Sequence, residues 1–160
     1  YALRLGAGGL LGTGTAPSAS AGGLVLVGLR RRALSLDLEG RADARSGVEV
    51  RDGRVDTALR VGQLAFCWHK SAAVLCALGG AGVVQAVGDH VGIPFDRSSL
   101  YAHAGGRFAL EIPVAGALAI RASFDAVFPF TRTTVRIGGE PVWSVQPAAL
   151  AVGAGLVLEL

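Results

Sequence analysis

Charge is scarce in this chain. Acidic and basic residues together make up only 17% of it, while 51% of its residues are hydrophobic and its mean hydropathy is +0.50. Such a balance excludes intrinsic disorder, which needs low hydrophobicity and high charge. Lysine is nearly absent: Lys70 stands alone against 14 arginines. The arginines are scattered apart from Arg30, Arg31 and Arg32, and no basic stripe carries interleaved aromatics. Nucleic acid is therefore not an expected partner, despite a net charge of +3. Also missing is any clean apolar run of about 18 residues, the length a membrane-spanning helix needs. The nearest, from Ala72 to Val84, is interrupted by Gly79, Gly80 and Gly82 and ends against Gln85. A chain so apolar without a spanning helix suits a transmembrane barrel, in which only every second strand residue must be apolar.

What is present is alternation. Leu34, Leu36 and Leu38 fall on one face of a strand, and Ser35, Asp37, Glu39 and Arg41 fall on the other. The same period of two sets Leu100, Phe108, Leu110 and Ile112 against Tyr101, His103, Arg107 and Glu111. It sets Leu118, Ile120, Phe124 and Phe128 against Arg121, Ser123 and Asp125, and Leu150, Val152, Leu156, Leu158 and Leu160 against Gly153, Gly155 and Glu159. Eight strands are expected, at about 2–13, 22–30, 33–44, 55–68, 73–86, 99–112, 117–129 and 145–160. The patterning is weakest in the second, fourth and fifth of these, where the spacing of turn residues decides. The gaps alternate between long and short. Those at 14–21, 45–54, 87–98 and 130–144 are long and rich in Gly, Pro, Ser and charge; those at 31–32, 69–72 and 114–116 are short.

The expected fold is therefore all-β: an eight-stranded antiparallel up-and-down transmembrane β-barrel with a polar interior. Its polar faces carry Arg4, Asp37, Glu39, Arg41, Arg60, Arg107, Glu111, Arg121, Asp125 and Glu159. These cannot all face lipid, because an arginine at mid-bilayer costs about 2–4 kcal/mol. They are expected to form an ionic network inside the barrel. One register that sets Arg107 against Asp125 also sets Glu111 against Arg121 and Phe108 against Phe124. Glu159 in the last strand is expected near Arg4 in the first. An aromatic girdle is expected from Tyr101, Phe128, Phe130 and Trp143 at the long-loop rim and from Tyr1, Phe66 and Trp68 at the short-turn rim. Cys67 and Cys76 flank a short turn and are expected to meet as a cross-strand disulfide, a free buried pair being the alternative.

Taken together, these features resemble the small eight-stranded outer-membrane barrels of the OmpA/OmpX type. The strongest local likeness is the final strand, Leu150 to Leu160, which resembles the C-terminal strand read by the barrel-insertion machinery. It departs from that pattern in ending on Leu160 where an aromatic is usual. The resemblance implies an exported, porin-like membrane protein of the bacterial outer membrane. It also implies the lipid bilayer and the insertion machinery as partners, and a monomer. Residues 1–160 form one barrel domain on this view, alone or as the C-terminal part of a longer chain, and Tyr1 marks a mature form or fragment. The expected role is a non-catalytic membrane anchor, surface-display platform or narrow channel, with no cofactor and no metal.

Two other classes stand beside it. A soluble lipocalin-like barrel would bind an apolar ligand and point Leu34, Leu36 and Leu38 inward. An outer-membrane hydrolase would use the loop residues Asp89, His90, Asp96, Ser98 and Ser99 with His103, although no GxSxG is present. Two weaker patterns are a Gly6–Gly12 run similar to a dinucleotide loop and a metal site at Cys67, His69 and Cys76 that lacks a fourth ligand.

Overall fold

The computed structural model describes the chain except for residues 15–17, 51–52, 90–94, 132–133, 138–139 and 145, and describes no side chains in 45–55, 88–97 and 132–143. Its strands are β1 (Ala2–Thr13), β2 (Ser20–Arg31), β3 (Leu34–Val50), β4 (Gly53–Lys70), β5 (Ala73–Asp89), β6 (Phe95–Ala115), β7 (Leu118–Pro129), β8 (Thr134–Ile137), β9 (Glu140–Ser144) and β10 (Ala149–Glu159). Eight of them close into one antiparallel barrel in the order β1-β10-β7-β6-β5-β4-β3-β2. Closure by β1 against β10 leaves no open edge, so the ladder satisfies the backbone groups without water. The short hairpin β8–β9 lies in the fourth long gap, outside the barrel sheet. The period of two does not reveal it, because β8 spans only 4 residues and β9 only 5.

Side-chain direction follows the alternation. Leu34, Leu36 and Leu38 are 46%, 53% and 54% exposed, whereas Ser35, Asp37 and Glu39 are 2%, 0% and 1% exposed. The aliphatic residues therefore clothe the outside and the ions fill the inside, which rules out the lipocalin-like orientation. The Gly6–Gly12 run lies within β1 with no helix after it, so the dinucleotide reading fails.

The short turns carry the local signals of tight hairpins. Arg32, Ser71 and Gly116 adopt positive φ of 55°, 55° and 51° in the three short turns. The strands are unequal: β1, β2 and β7 have 12 residues, whereas β3, β4, β5 and β6 have 17, 18, 17 and 21. Alternation alone ends most of the longer strands early, because their outer ends are polar and poorly patterned.

Inward glycines make room in the narrow cylinder. A Cβ on Gly82 would collide with the Arg60 carbonyl oxygen, and one on Gly28 would collide with Asp37 Oδ1. Outward Gly79 has nothing within 4 Å of that position. Gly82→Ala should therefore destabilise the folded barrel by about 1–3 kcal/mol through overpacking. Gly79→Ala should leave it unchanged or slightly firmer. Urea unfolding in detergent micelles measures both, and equal effects would refute the distinction.

Candidate functional site

The barrel's built feature is its interior, where inward positions of β1, β3, β6 and β7 bring ions together and β2 and β4 add polar partners. Near the short-turn end, Arg4 projects from β1 and is fully buried. Its Nη1 donates to Asp37 Oδ2 at 3.0 Å and to Ser35 Oγ at 2.7 Å, and its Nη2 donates to Glu111 Oε1 at 2.6 Å. One guanidinium thus ties β1 to β3 and β6 across the lumen. His69 completes this layer, with Nε2 2.9 Å from Ser35 Oγ and Nδ1 3.6 Å from Glu111 Oε2.

A second layer lies further up. Arg107 of β6 makes a two-pronged contact with Asp125 of β7, at 2.6 and 2.8 Å, and its third nitrogen donates to Glu39 of β3. Bidentate guanidinium–carboxylate pairs of this kind are among the stronger hydrogen-bonded contacts in proteins. Gln63 Nε2 donates to the other Glu39 oxygen, and Gln63 Oε1 is 3.1 Å from His103 Nε2. Towards the long loops, Arg41 grips Asp43 at 2.7 and 2.8 Å, and Ser20 reaches Asp43 at 3.2 Å. Beside this pair the interior turns apolar, with Leu59, Val61, Val84 and Tyr101 packed together and all at most 5% exposed.

Register explains why these partners meet. Arg107 stands opposite Asp125, Phe108 opposite Phe124 and Glu111 opposite Arg121. The Arg121 side chain does not follow its register closely: Nη1 is 3.7 Å from Glu111 Oε1, and neither Nη atom has a hydrogen-bond partner among the described residues. It faces an internal cavity of about 40 Å³ lined also by Ser123, Asp125, Gly153 and Gly155, a space large enough for a water molecule.

Two expectations are corrected, and a third holds in register but not in side-chain pairing. Arg60 is not in the network: it is exposed on the outer wall, while its neighbours Leu59 and Val61 face in. In this part of β4 the apolar face is the lumenal one, so polarity alone assigns the wrong side. Tyr101 is not in a girdle, being 1% exposed and tilted against His103 inside the barrel. Glu159 stands opposite Arg4 in the β1–β10 register, yet its carboxylate pairs with Arg30 of β2 at 2.9 Å. Arg4 is already held by Asp37 and Glu111.

Of the remaining aromatics, Tyr1, Phe66, Trp68, Phe128 and Phe130 are 89%, 55%, 45%, 58% and 70% exposed, the latter four on the outer wall. Tyr1 also receives the Arg31 guanidinium 5.4 Å above its ring. The Trp143 and His90 side chains lie outside the described residues. Sequence reasoning missed Ser35, Gln63, His69, Asp43 and Ser20 as network members. The alternation marked Ser35 as inward, and Arg41 shares its face with Asp43 two residues on. No comparable signal marked Gln63 or His69, because β4 is irregularly patterned.

Cys67 and Cys76 stand directly opposite in β4 and β5 and are joined as a disulfide. With their sulfurs bonded to each other, they are not thiolate ligands, so the metal reading with His69 fails. Ser35, His69 and Glu111 lie at distances similar to those of a nucleophile–base–acid set. Ser35 is only 2% exposed, however, and Arg4 Nη1 crowds His69 Nε2 at 3.2 Å, so neither substrate approach nor proton uptake is served.

No family model matches the sequence, and no curated protein matches it. Solved structures do match, over nearly the whole chain. The attachment invasion locus protein Ail of Yersinia pestis, crystallised with the heparin analogue sucrose octasulfate, superposes with a TM-score of 0.62 at 14% identity, covering 99% of this chain and 98% of that one. Neisserial surface protein A gives 0.59 at 9% identity, covering 99% and 96%. The N-terminal barrel domain of Pseudomonas aeruginosa OprF gives 0.50 at 9% identity, covering 99% and 97%. The fold is therefore that of the small eight-stranded outer-membrane barrels.

Removing one partner of a buried ion pair strands the other in a poorly solvated place, at a cost of about 3–5 kcal/mol. Arg107→Ala leaves Glu39 and Asp125 without their guanidinium and should lower unfolding stability by about that much. Arg30→Ala, at the half-exposed Arg30–Glu159 pair, should cost about 1 kcal/mol or less. Equal losses in urea titrations would show that the interior ions are hydrated like surface ones. The 9-residue separation of Cys67 and Cys76 makes the Cys67→Ala, Cys76→Ala variant about 2–3 kcal/mol less stable than the oxidised protein. A reductant should have no further effect on that variant.

Proposed function

We propose that this chain is an integral protein of the bacterial outer membrane that anchors and displays its long loops, acting neither as an open channel nor as an enzyme. The observation that carries the reading is the filled interior. At the short-turn end a vestibule of about 540 Å³ opens between Arg30, Glu111, Glu159 and Pro113. Beyond it stands Arg4, fully buried between Asp37 and Glu111. Above come the Arg107 layer and the packed Leu59, Val61, Val84 and Tyr101. An eight-stranded barrel has an interior only wide enough for its side chains. Hydrated ions would have to break several buried pairs to pass.

The outward aliphatic surface supports a bilayer as the surrounding medium. The likeness to outer-membrane barrels favours the bacterial outer membrane, with the short turns on the periplasmic side. The final strand, apolar at alternate positions up to Leu160, is the segment that would engage the barrel-insertion machinery. Nothing in the described barrel requires a partner subunit, and a monomer is proposed. The hydrolase alternative gains little, since Ser98 lies exposed on the outer face while His103 is buried in the lumen.

Two measurements test this reading. Unboiled, detergent-folded protein should migrate differently from boiled protein in a gel; identical mobility would count against a stable barrel. Reconstituted into planar bilayers, the folded protein should give no stepwise ion current. Reproducible unitary steps would replace the anchor by a channel.

A further inference from the structure

The outer wall carries one anomaly. Climbing from the short-turn rim, Arg60 is the first charged side chain among the described outward residues, and Asp56 follows four residues further up the same face of β4. Arg60 makes no hydrogen bond or ion pair among the described residues. From Lys70 at the short-turn rim up to Arg60, β4 climbs about 25 Å at ~3.3 Å per residue and a tilt of roughly 40°. That is about the full height of the apolar band of such a barrel. Arg60 therefore sits at the upper edge of the hydrocarbon, at the level of lipid headgroups on the long-loop side.

Below and beside Arg60 the wall is hollowed. A shallow groove of about 710 Å³ runs across β1 to β4, floored by Ala7, Gly23, Gly40, Ala42 and Gly62. These glycines are not demanded by packing within the chain. A Cβ on Gly62 would meet nothing within 4 Å; on Gly40 its nearest contact would be Val25 Cγ2 at 3.5 Å; on Gly23, the Gly8 carbonyl oxygen at 3.8 Å. The inward glycines differ, since Gly22, Gly28 and Gly82 have no room for a Cβ. Outward glycine in a strand weakens it and commonly marks close approach by something outside.

We propose that this groove holds one acyl chain of an anionic, phosphate-bearing lipid of the leaflet facing the long loops, with Arg60 bound to its phosphate. The side chain supplies a planar donor fork suited to phosphate oxygens. The bare glycine floor lets a hydrocarbon chain lie close to the backbone. A second copy of the protein is disfavoured as occupant, because a two-fold pair seated on this groove would set Arg60 against its own mate. The inference rests on the membrane-barrel reading above.

The test is native mass spectrometry of the folded protein released from micelles containing equal amounts of phosphatidylglycerol and phosphatidylcholine. Wild type should retain phosphatidylglycerol in preference. Arg60→Gln should reduce that preference about fivefold, and Arg60→Lys should recover part of it. Gly40→Leu with Gly62→Leu should lower retention of both lipids, since it fills the floor and leaves the charge. Equal retention of the two lipids by wild type would overturn the proposal, as would an unchanged preference in Arg60→Gln. A dimer abolished by Gly62→Leu would also overturn it, in favour of a second copy. Heat-dependent gel mobility is scored on every sample. If wild type lacks it, the barrel reading itself fails; if it is present while lipid preference is absent, only the lipid site fails.

Discussion

The interior charges of a narrow barrel have little to pair with except one another, and the architecture follows from that constraint. Arg4, Arg107 and Arg41 are each matched to carboxylates on other strands or two residues along the same strand. Arg4 alone links β1 to β3 and β6, which are not its neighbours in the sheet. Backbone hydrogen bonds join each strand only to the next. The guanidinium contacts brace the cylinder across its diameter and set which side of each strand must face in. A slip of one residue in β3, β6 or β7 would send its ions to the lipid and its large apolar side chains to the lumen. The ion pairs need not raise stability over an apolar filling to do this; their penalty for mispairing enforces a single register.

Volume is settled by the same arrangement. Long ions stand opposite glycines: Gly28 pairs with Asp37, Gly22 with Asp43, and Gly155 with Arg121. Gly80 lies between Gln63 and His103, and a Cβ there would come within 2.7 Å of one and 2.8 Å of the other. Large polar side chains are thus accommodated by deleting side chains from the adjoining strand. The many glycines inside this barrel and its charges are two halves of one packing solution. Outward Gly23, Gly40 and Gly62 fall outside that solution, as does outward Gly79.

Legibility in the sequence tracks where alternation is clean. In β3, β6 and β7 the leucines and phenylalanines fall on one face and the ions on the other, so register and partners can be read directly: Arg107 with Asp125, and Phe108 with Phe124. The cysteine pair is legible because a short turn fixes which residues face each other. Legibility fails in the outer half of β4. There Leu59 and Val61 point inward to pack with Tyr101 and Val84, and Arg60 points outward. A lumen that changes from ionic to apolar along its height reverses the rule linking polarity to direction. Partner choice is also illegible wherever register and side-chain reach disagree. Glu159 lies across from Arg4 in backbone terms, but a long arginine follows the better-placed carboxylates.

The unequal strands give the molecule a direction. A tilted strand needs only about 9–11 residues to cross the hydrocarbon layer, and β1, β2, β7 and β10 are little longer than that. From β3 to β6 the strands run 17 to 21 residues, adding on the order of 15 Å of paired sheet beyond the band at ~3.3 Å per residue and the barrel tilt. Their turns at the other end are short, so the excess emerges on the long-loop side. The sequence of this extension is polar, and its register sets Glu49 across from Arg54, and Arg54 across from Asp89. A sheet with such composition gains nothing from lipid and is suited to water. The closed barrel therefore carries one tall wall of paired sheet beyond its apolar band on the long-loop side.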